Sequence, residues 1–287
     1  MNRREFLGTL TAASLLSQKL GWAAGDHKVT PIGLQLYTVR TEMKRDFEGT
    51  IAKVAATGYK EVEFAGYFDH SPKDVRAILD RNGLTAPSTH VDYKSLGDKW
   101  QEVVEAAKVM GHQYIVNPWI DDEVRKSPDG WKRASDVFNR AGEISKKAGI
   151  QFAYHNHWFE FNPVNGKLPY DILLESCDRG LVKMELDLCW ITVGGQDPVK
   201  YFERYPGRFP MVHVKDVKSV PPEKDKVNFD GVLPGMTEVG SGVIDWKRIF
   251  AASEKGGIKH YFVEHDQSKA PFESIKTSYQ YLSRLQF

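Results

Sequence analysis

The chain of 287 residues has only two cysteines, Cys177 and Cys189. Disulfides therefore cannot be the frame of its fold, and two reduced, buried thiols are the expected state. It has no excess of either charge: 39 Lys and Arg stand against 38 Asp and Glu, a formal net of +1. A chain so balanced lacks the basic field of a nucleic-acid binder. Past the N-terminal segment no apolar run is long enough to span a bilayer. The first strand-like run leads into Leu36-Tyr37-Thr38-Val39-Arg40 without a glycine-rich phosphate loop, which argues against a doubly wound nucleotide-binding sheet. No low-complexity block or clear linker divides the chain, and its length suits one large domain.

The N-terminal segment reads separately. Arg3-Arg4 is followed by Phe6-Leu7, a weakly apolar stretch to about Leu16, and small residues at Ala23-Ala24. Residues 1–24 are expected to be a twin-arginine export signal that directs the protein to the periplasm or beyond, and residues 25–287 a single domain.

In that domain short apolar runs alternate with amphipathic stretches. Strands are expected at 32–37, 61–64, 85–90, 114–117, 151–155, 182–187, 211–215 and 261–264. Helical patterns lie between them, among them 46–56, 72–81, 99–110, 132–147, 199–205 and 246–254, and a last helix runs from about 271 to 285. Glycines at 58, 83, 111, 149 and 257 stand where helix C-caps need a left-handed residue. Eight strand–helix units predict an α/β fold with parallel strands closed as a (β/α)8 TIM barrel. The long connection 217–242, rich in Pro, Lys, Asp and Gly, reads as a functional loop on the active face.

Alternate strand residues face a barrel's interior. Counted from the C-terminal tips, the inward set is Tyr37, Glu63, His90, Asn117, His155, Asp187, His213 and Glu264, all polar or ionisable. Barrel enzymes keep their sites at this end. Asp187, His213 and Glu264 form the core of an expected divalent-metal site, with either His155 or Glu160 completing it. Glu160 is preferred, because three carboxylates and one histidine suit a hard ion. The metal is expected to be Mn, Mg, Co or Zn. The proton-transfer candidates are Glu264, His155 and His157. Substrate contacts are expected from Tyr37, Glu63, His90, Asn117, Trp119, Trp190 and Lys215, with ring stacking by Tyr37, Trp119, Trp158 or Trp190. Glu185 reads as a paired structural acid, and Asp216 as a brace for the loop that follows it.

Segments in this order resemble the xylose isomerase-like barrel superfamily, the sugar phosphate isomerase/epimerase group. They are Gly33-Leu34-Gln35-Leu36-Tyr37-Thr38-Val39-Arg40, Gly58 to Phe64, Tyr154 to Phe161, Leu186 to Trp190, Gly195 to Pro198, His213 to Asp216, Val239 to Trp246 and Val263 to Asp266. The resemblance implies a divalent metal held by Glu, Asp, His and Glu from the fifth to eighth strands. Asp187, His213 and Glu264 match; His155 stands where many members have Glu. A subgroup with a His-x-His segment and a later Glu, including inosose dehydratase-like and 3-keto-glycoside-cleaving members, is similar. The expected activity is a metal-dependent sugar isomerase or epimerase working through an enediolate. The alternative is a lyase or dehydratase acting on a keto sugar, 3-keto glycoside or inosose, and a non-catalytic sugar-binding barrel ranks below both. Metal-dependent phosphodiester cleavage, as in the endonuclease IV branch, is opposed by the neutral charge. The expected partner is a small carbohydrate, with no nucleic acid and no membrane span; a homo-oligomer is compatible with this reading.

Overall fold

A computed structural model describes residues 27–220 and 233–287. The expected export signal and the middle of the 217–242 connection lie outside the described residues. Eight parallel strands close into a barrel: β1 (Ile32–Gln35), β2 (Glu61–Phe64), β3 (Thr85–His90), β4 (Tyr114–Asn117), β5 (Gln151–His155), β6 (Val182–Asp187), β7 (Met211–Val214) and, after a short hairpin, β10 (His260–Val263). The hairpin strands β8 (Asp216–Val217) and β9 (Met236–Thr237) pair antiparallel at the mouth. β10 returns to pair with β1, Phe262 opposite Gly33. A Cβ on Gly33 would meet the Phe262 ring at 2.6 Å, so a glycine is what lets this seam close around an inward phenylalanine.

The expected strands are those observed, with small shifts at the ends. β1 stops two residues early because Gln35 Oε1 accepts from the Tyr37 amide at 3.0 Å and caps a 3-10 turn, Leu36–Val39. That turn carries Tyr37 onto the rim. The helix Pro72–Arg81 illustrates the local logic. Ser71 caps it, Pro72 occupies its first turn, and Val75, Ile78 and Leu79 form the buried stripe. Among the helices beyond those named from the sequence, Pro169–Ser176 follows β5 and Leu188–Val193 follows β6. Among the described residues no helix is long and apolar enough to cross a membrane.

The apolar core has two parts. A large shell packs helices against the outer faces of the strands. A small plug of Tyr114, Val116, Ala153, Met211 and Phe262 fills the barrel interior. Above the plug the interior turns polar, so the same inward-facing rows that begin apolar end in ionisable groups. The loop after β7 is held by Asp216. Its carboxylate is fully buried and accepts from the amides of Val217, Gly240, Gly242 and Ile244 and from Trp246 Nε1, at 2.9–3.3 Å. That is the bracing role expected for it.

Candidate metal centre and active-site cavity

Strand alternation assembles the site. Glu185 and Asp187 on β6, Ala153 and His155 on β5, Met211 and His213 on β7, and Phe262 and Glu264 at the end of β10 share inward faces. Asp187, His213 and Glu264 each offer a ligand atom within 4.8 Å of the others, and all three are buried. His213 Nδ1 lies 2.7 Å from Glu264 Oε2, and its Nε2 lies 2.7 Å from Glu63 Oε2. Asp187 Oδ1 accepts from the amides of Cys189 and Trp190, which caps the helix that follows and fixes the carboxylate. Its Oδ2 has no well-directed hydrogen bond, although the Lys215 ammonium is 3.2 Å away. A buried carboxylate oxygen left over beside an imidazole and a second carboxylate is a donor set that fits a dication.

Lys215 is the local counter-charge. It is 2% exposed, and its Nζ lies 2.6 Å from Glu264 Oε2 and 3.2 Å from Asp266 Oδ2. Burial works against the ammonium, yet Asp266, Glu264 and Asp187 hold its pKa well above the ordinary value. Burial would also raise Glu264, but Lys215 and His213 overcome it and hold the carboxyl far below its ordinary range. Burial, aided by Glu264, pushes Asp266 up to about 7 against the pull of Lys215. Burial opposes charge on His213, but Glu185 and Glu264 raise it well above its ordinary value.

A cavity of about 750 Å³ opens above these groups. Of the expected residues, Tyr37, His90, Trp119, His155, His157, Trp190, Lys215 and Glu264 line it. His157 is edge-on to Trp119 at 5.0 Å and to His155 at 4.9 Å. Burial and then Lys215 keep its ring well below the ordinary histidine value, so it is neutral, and its Nδ1 has no hydrogen-bond partner among the described residues. Trp190 Nε1 is likewise buried and unpartnered. Trp158 packs against Trp190 with ring centroids 5.1 Å apart and the planes tilted by 44°, and it does not line the cavity. Tyr37 is 42% exposed, carrying the Arg40 guanidinium 3.9 Å above its ring. Arg40 in turn donates to the carbonyls of Tyr37 and Asp266, joining the β1 and β10 loops.

Three expected residues are placed elsewhere. The Glu160 carboxylate accepts from Tyr154 Oη at 2.5 Å and from the His157 amide at 2.8 Å. Tyr154 belongs to the outer face of β5, so Glu160 braces the His157 loop from behind and is absent from the clustered ligand groups. Strand five instead presents His155, whose Nε2 is 3.9 Å from Asp187 Oδ2. Asn117 is turned away from the interior, since Val116 is the β4 residue in the inner plug. Its Nδ2 donates to the Val91 carbonyl and it does not line the cavity. Glu63 is inward but lies behind the cavity, receiving hydrogen bonds from Gln35 and Ser88. Burial alone would raise it, but His90 and His213 hold it well below the ordinary range.

Two residues not named as site residues from the sequence join the site. Glu185 lies two positions before Asp187 and Asp266 two after Glu264. Carrying the two-residue alternation one step further in each direction would have found both.

Comparison with known proteins places this geometry. A family profile described as xylose isomerase-like TIM barrel matches residues 51–285. An inosose dehydratase from Lacticaseibacillus casei is 29% identical over 266 residues, covering 82% of this chain and 88% of the relative. The crystal structure of a sugar phosphate isomerase/epimerase from Parabacteroides distasonis superposes with a TM-score of 0.75 at 28% identity, covering 93% of this chain and 97% of that one. The IolI protein, whose structure has a zinc atom, superposes at 0.69 with 17% identity, covering 87% of this chain and 95% of that one, a likeness of fold.

Proposed function

Because the chain belongs to the xylose isomerase-like TIM barrel family, we propose that it is a metal-dependent lyase that eliminates a β-hydroxyl, or another β-substituent, from a keto-cyclitol or keto sugar. The observation that carries this reading is the convergence of Asp187, His213 and Glu264 beneath a cavity walled by a neutral histidine and a carboxyl group raised to about 7. The sequence alone favoured isomerisation or epimerisation, with elimination second; the inosose dehydratase relatives favour the reverse order. The isomerase/epimerase reading keeps support from the Parabacteroides distasonis structure.

Asp187, His213 and Glu264, with His155 on the strand-five side, would hold the cation. When bound, it would supply Lewis acidity toward a carbonyl and a neighbouring hydroxyl oxygen of the substrate. The chain's own groups divide the remaining work. His157, neutral and with a free Nδ1, accepts the proton from the carbon next to the carbonyl. The electron pair of that C–H bond forms the C=C bond as the β C–O bond breaks. Asp266, titrating near neutrality, gives the departing hydroxyl its proton, so that water leaves. Lys215 holds the Glu264 and Asp266 carboxyls in place by charge. Trp190 offers an apolar wall with one free indole N–H to orient a hydroxyl.

The test is incubation of the metal-loaded protein with inosose and a panel of keto sugars in deuterated water. A product lighter by one water, with the ultraviolet absorbance of a conjugated enone, is expected. His157→Asn should lower kcat by about 10²–10⁴ while leaving metal content unchanged. A deuterated product of unchanged skeleton, with no water lost, would overturn elimination in favour of isomerisation or epimerisation.

A further inference from the structure

Below the mouth group the barrel holds a second convergence of ligand atoms. His90 on β3, His155 on β5, Glu185 on β6 and His213 on β7 each offer an atom within 4.8 Å of the others. The arrangement is centred on one oxygen. Glu185 Oε2 lies 2.8 Å from His90 Nε2, 3.2 Å from His155 Nδ1 and 3.2 Å from His213 Nε2. His90 and His155 direct ring nitrogens at that oxygen, and His213 Nε2 lies between it, at 3.2 Å, and Glu63 Oε2, at 2.7 Å. The other oxygen, Glu185 Oε1, is fully buried and has no hydrogen-bond partner among the described residues. The three rings are also crowded, with centroids 4.4–5.3 Å apart. A dication among them would draw one nitrogen from each ring.

We infer that the barrel has a second cation position, two residues deeper along β6 than the mouth group, formed by His90, His155, His213 and Glu185 and suited to a nitrogen-preferring dication such as zinc. Three imidazoles and one carboxylate are a donor set for zinc or cobalt, and a poor one for magnesium or calcium. The two positions use opposite edges of the shared rings. His213 turns Nδ1 to Glu264 and Nε2 to Glu63 and Glu185; His155 turns Nε2 toward Asp187 and Nδ1 to Glu185. His90 and Glu185 belong to the deeper group alone. Glu63 Oε2, 3.2 Å from His90 Nε2 and 2.7 Å from His213 Nε2, borders the deeper position on the same ring nitrogens.

The proposal is tested on the full chain with its mouth group disarmed, so no activity is read and the proposed reaction is not at stake. Asp187→Asn with Glu264→Gln keeps side-chain volume, and Asn at 187 can still cap the following helix. Titration of this protein with zinc alone is expected to reach one tightly bound equivalent. Cobalt in its place should give the strong visible bands of a four-coordinate, imidazole-rich site. Adding His90→Ala, or separately Glu185→Gln, should weaken zinc binding at least tenfold and abolish those bands. Circular dichroism and a thermal melt establish folding of each variant; if the double variant is unstable, Glu264→Gln alone serves as background. Absence of a zinc equivalent on a folded background, or zinc binding unchanged by both His90→Ala and Glu185→Gln, would overturn the inference.

Discussion

His213 Nδ1 stands 2.7 Å from Glu264 Oε2, across the pairing of β7 with β10 that sets Phe262 opposite His213. That short contact joins two of the three ligand candidates at the mouth. Replacing either partner should leave the other's charge buried and the donor set incomplete. His213→Gln, which touches both cation positions, is expected to lower metal retained after desalting by more than about tenfold, and Glu264→Gln to lose the mouth equivalent alone; both should abolish turnover. Metal analysis beside single-turnover assays checks this, and a Glu264→Gln protein with full metal and full rate would remove Glu264 from the site.

Lys215 offsets three buried carboxylates at once. Its removal leaves Asp187, Glu264 and Asp266 without their common counter-charge. Lys215→Met should therefore cost about 3–5 kcal/mol of stability in metal-free protein. Added dication should recover part of that loss, because it restores positive charge in the same place. Urea unfolding with and without metal measures both numbers; a loss equal in the two conditions would contradict the shared-charge argument.

Away from the site, His112, just before β4, ties the loop after β2 to β3. Its Nδ1 is 2.6 Å from the Ala86 carbonyl, and its Nε2 is 2.8 Å from the Tyr67 hydroxyl. Burial pushes its pKa down from 6.5 to about 4. As pH falls, the unfolded chain binds this proton first. The stability this group contributes is complete above pH 6.5 and is lost as pH drops toward about 4. His112→Gln should remove that dependence. The stability difference between wild type and variant should shrink by on the order of 3 kcal/mol from neutral pH to pH 4. Denaturant unfolding across that window reads the slope, and parallel curves would exclude the assignment.

Asp216 collects five donors from the segment 217–246. Alanine there strands several buried N–H groups together. Asp216→Ala is expected to destabilise the chain by on the order of 3 kcal/mol. Limited proteolysis should show faster cleavage in the loop after β7 before global unfolding. Cleavage elsewhere, with this loop still protected, would contradict the bracing role.

Strand positions were legible because each run ends in a strong local signal. Val182–Asp187 and Thr85–His90 have the expected bounds; in the first, alternating apolar residues give way to Asp187, which caps the next helix. The first strand was read two residues too long. Its end is decided by a side-chain cap from Gln35, which apolar pattern does not encode. Asn117 was assigned inward by counting back from the strand tip. The barrel chooses the other parity on β4, because Val116 fits the inner plug. Glu160 has the right chemistry for a ligand, but the turn Phe159–Phe161 hands its carboxylate to Tyr154.

Chain order and two-residue alternation alone determined that eight strands alternate with helices, that ionisable groups end the inward rows, and that Asp187, His213 and Glu264 are candidate partners. Those are properties of neighbouring residues, and covalent geometry sets them. Which carboxylates converge, which ring edge faces which acid, and whether Glu185 or Glu160 joins the histidines were decided only by closure of the barrel. Contacts such as His213 with Glu63, 150 residues apart in the chain, depend on the register and tilt with which eight separate strands meet, and no local pattern carries that information.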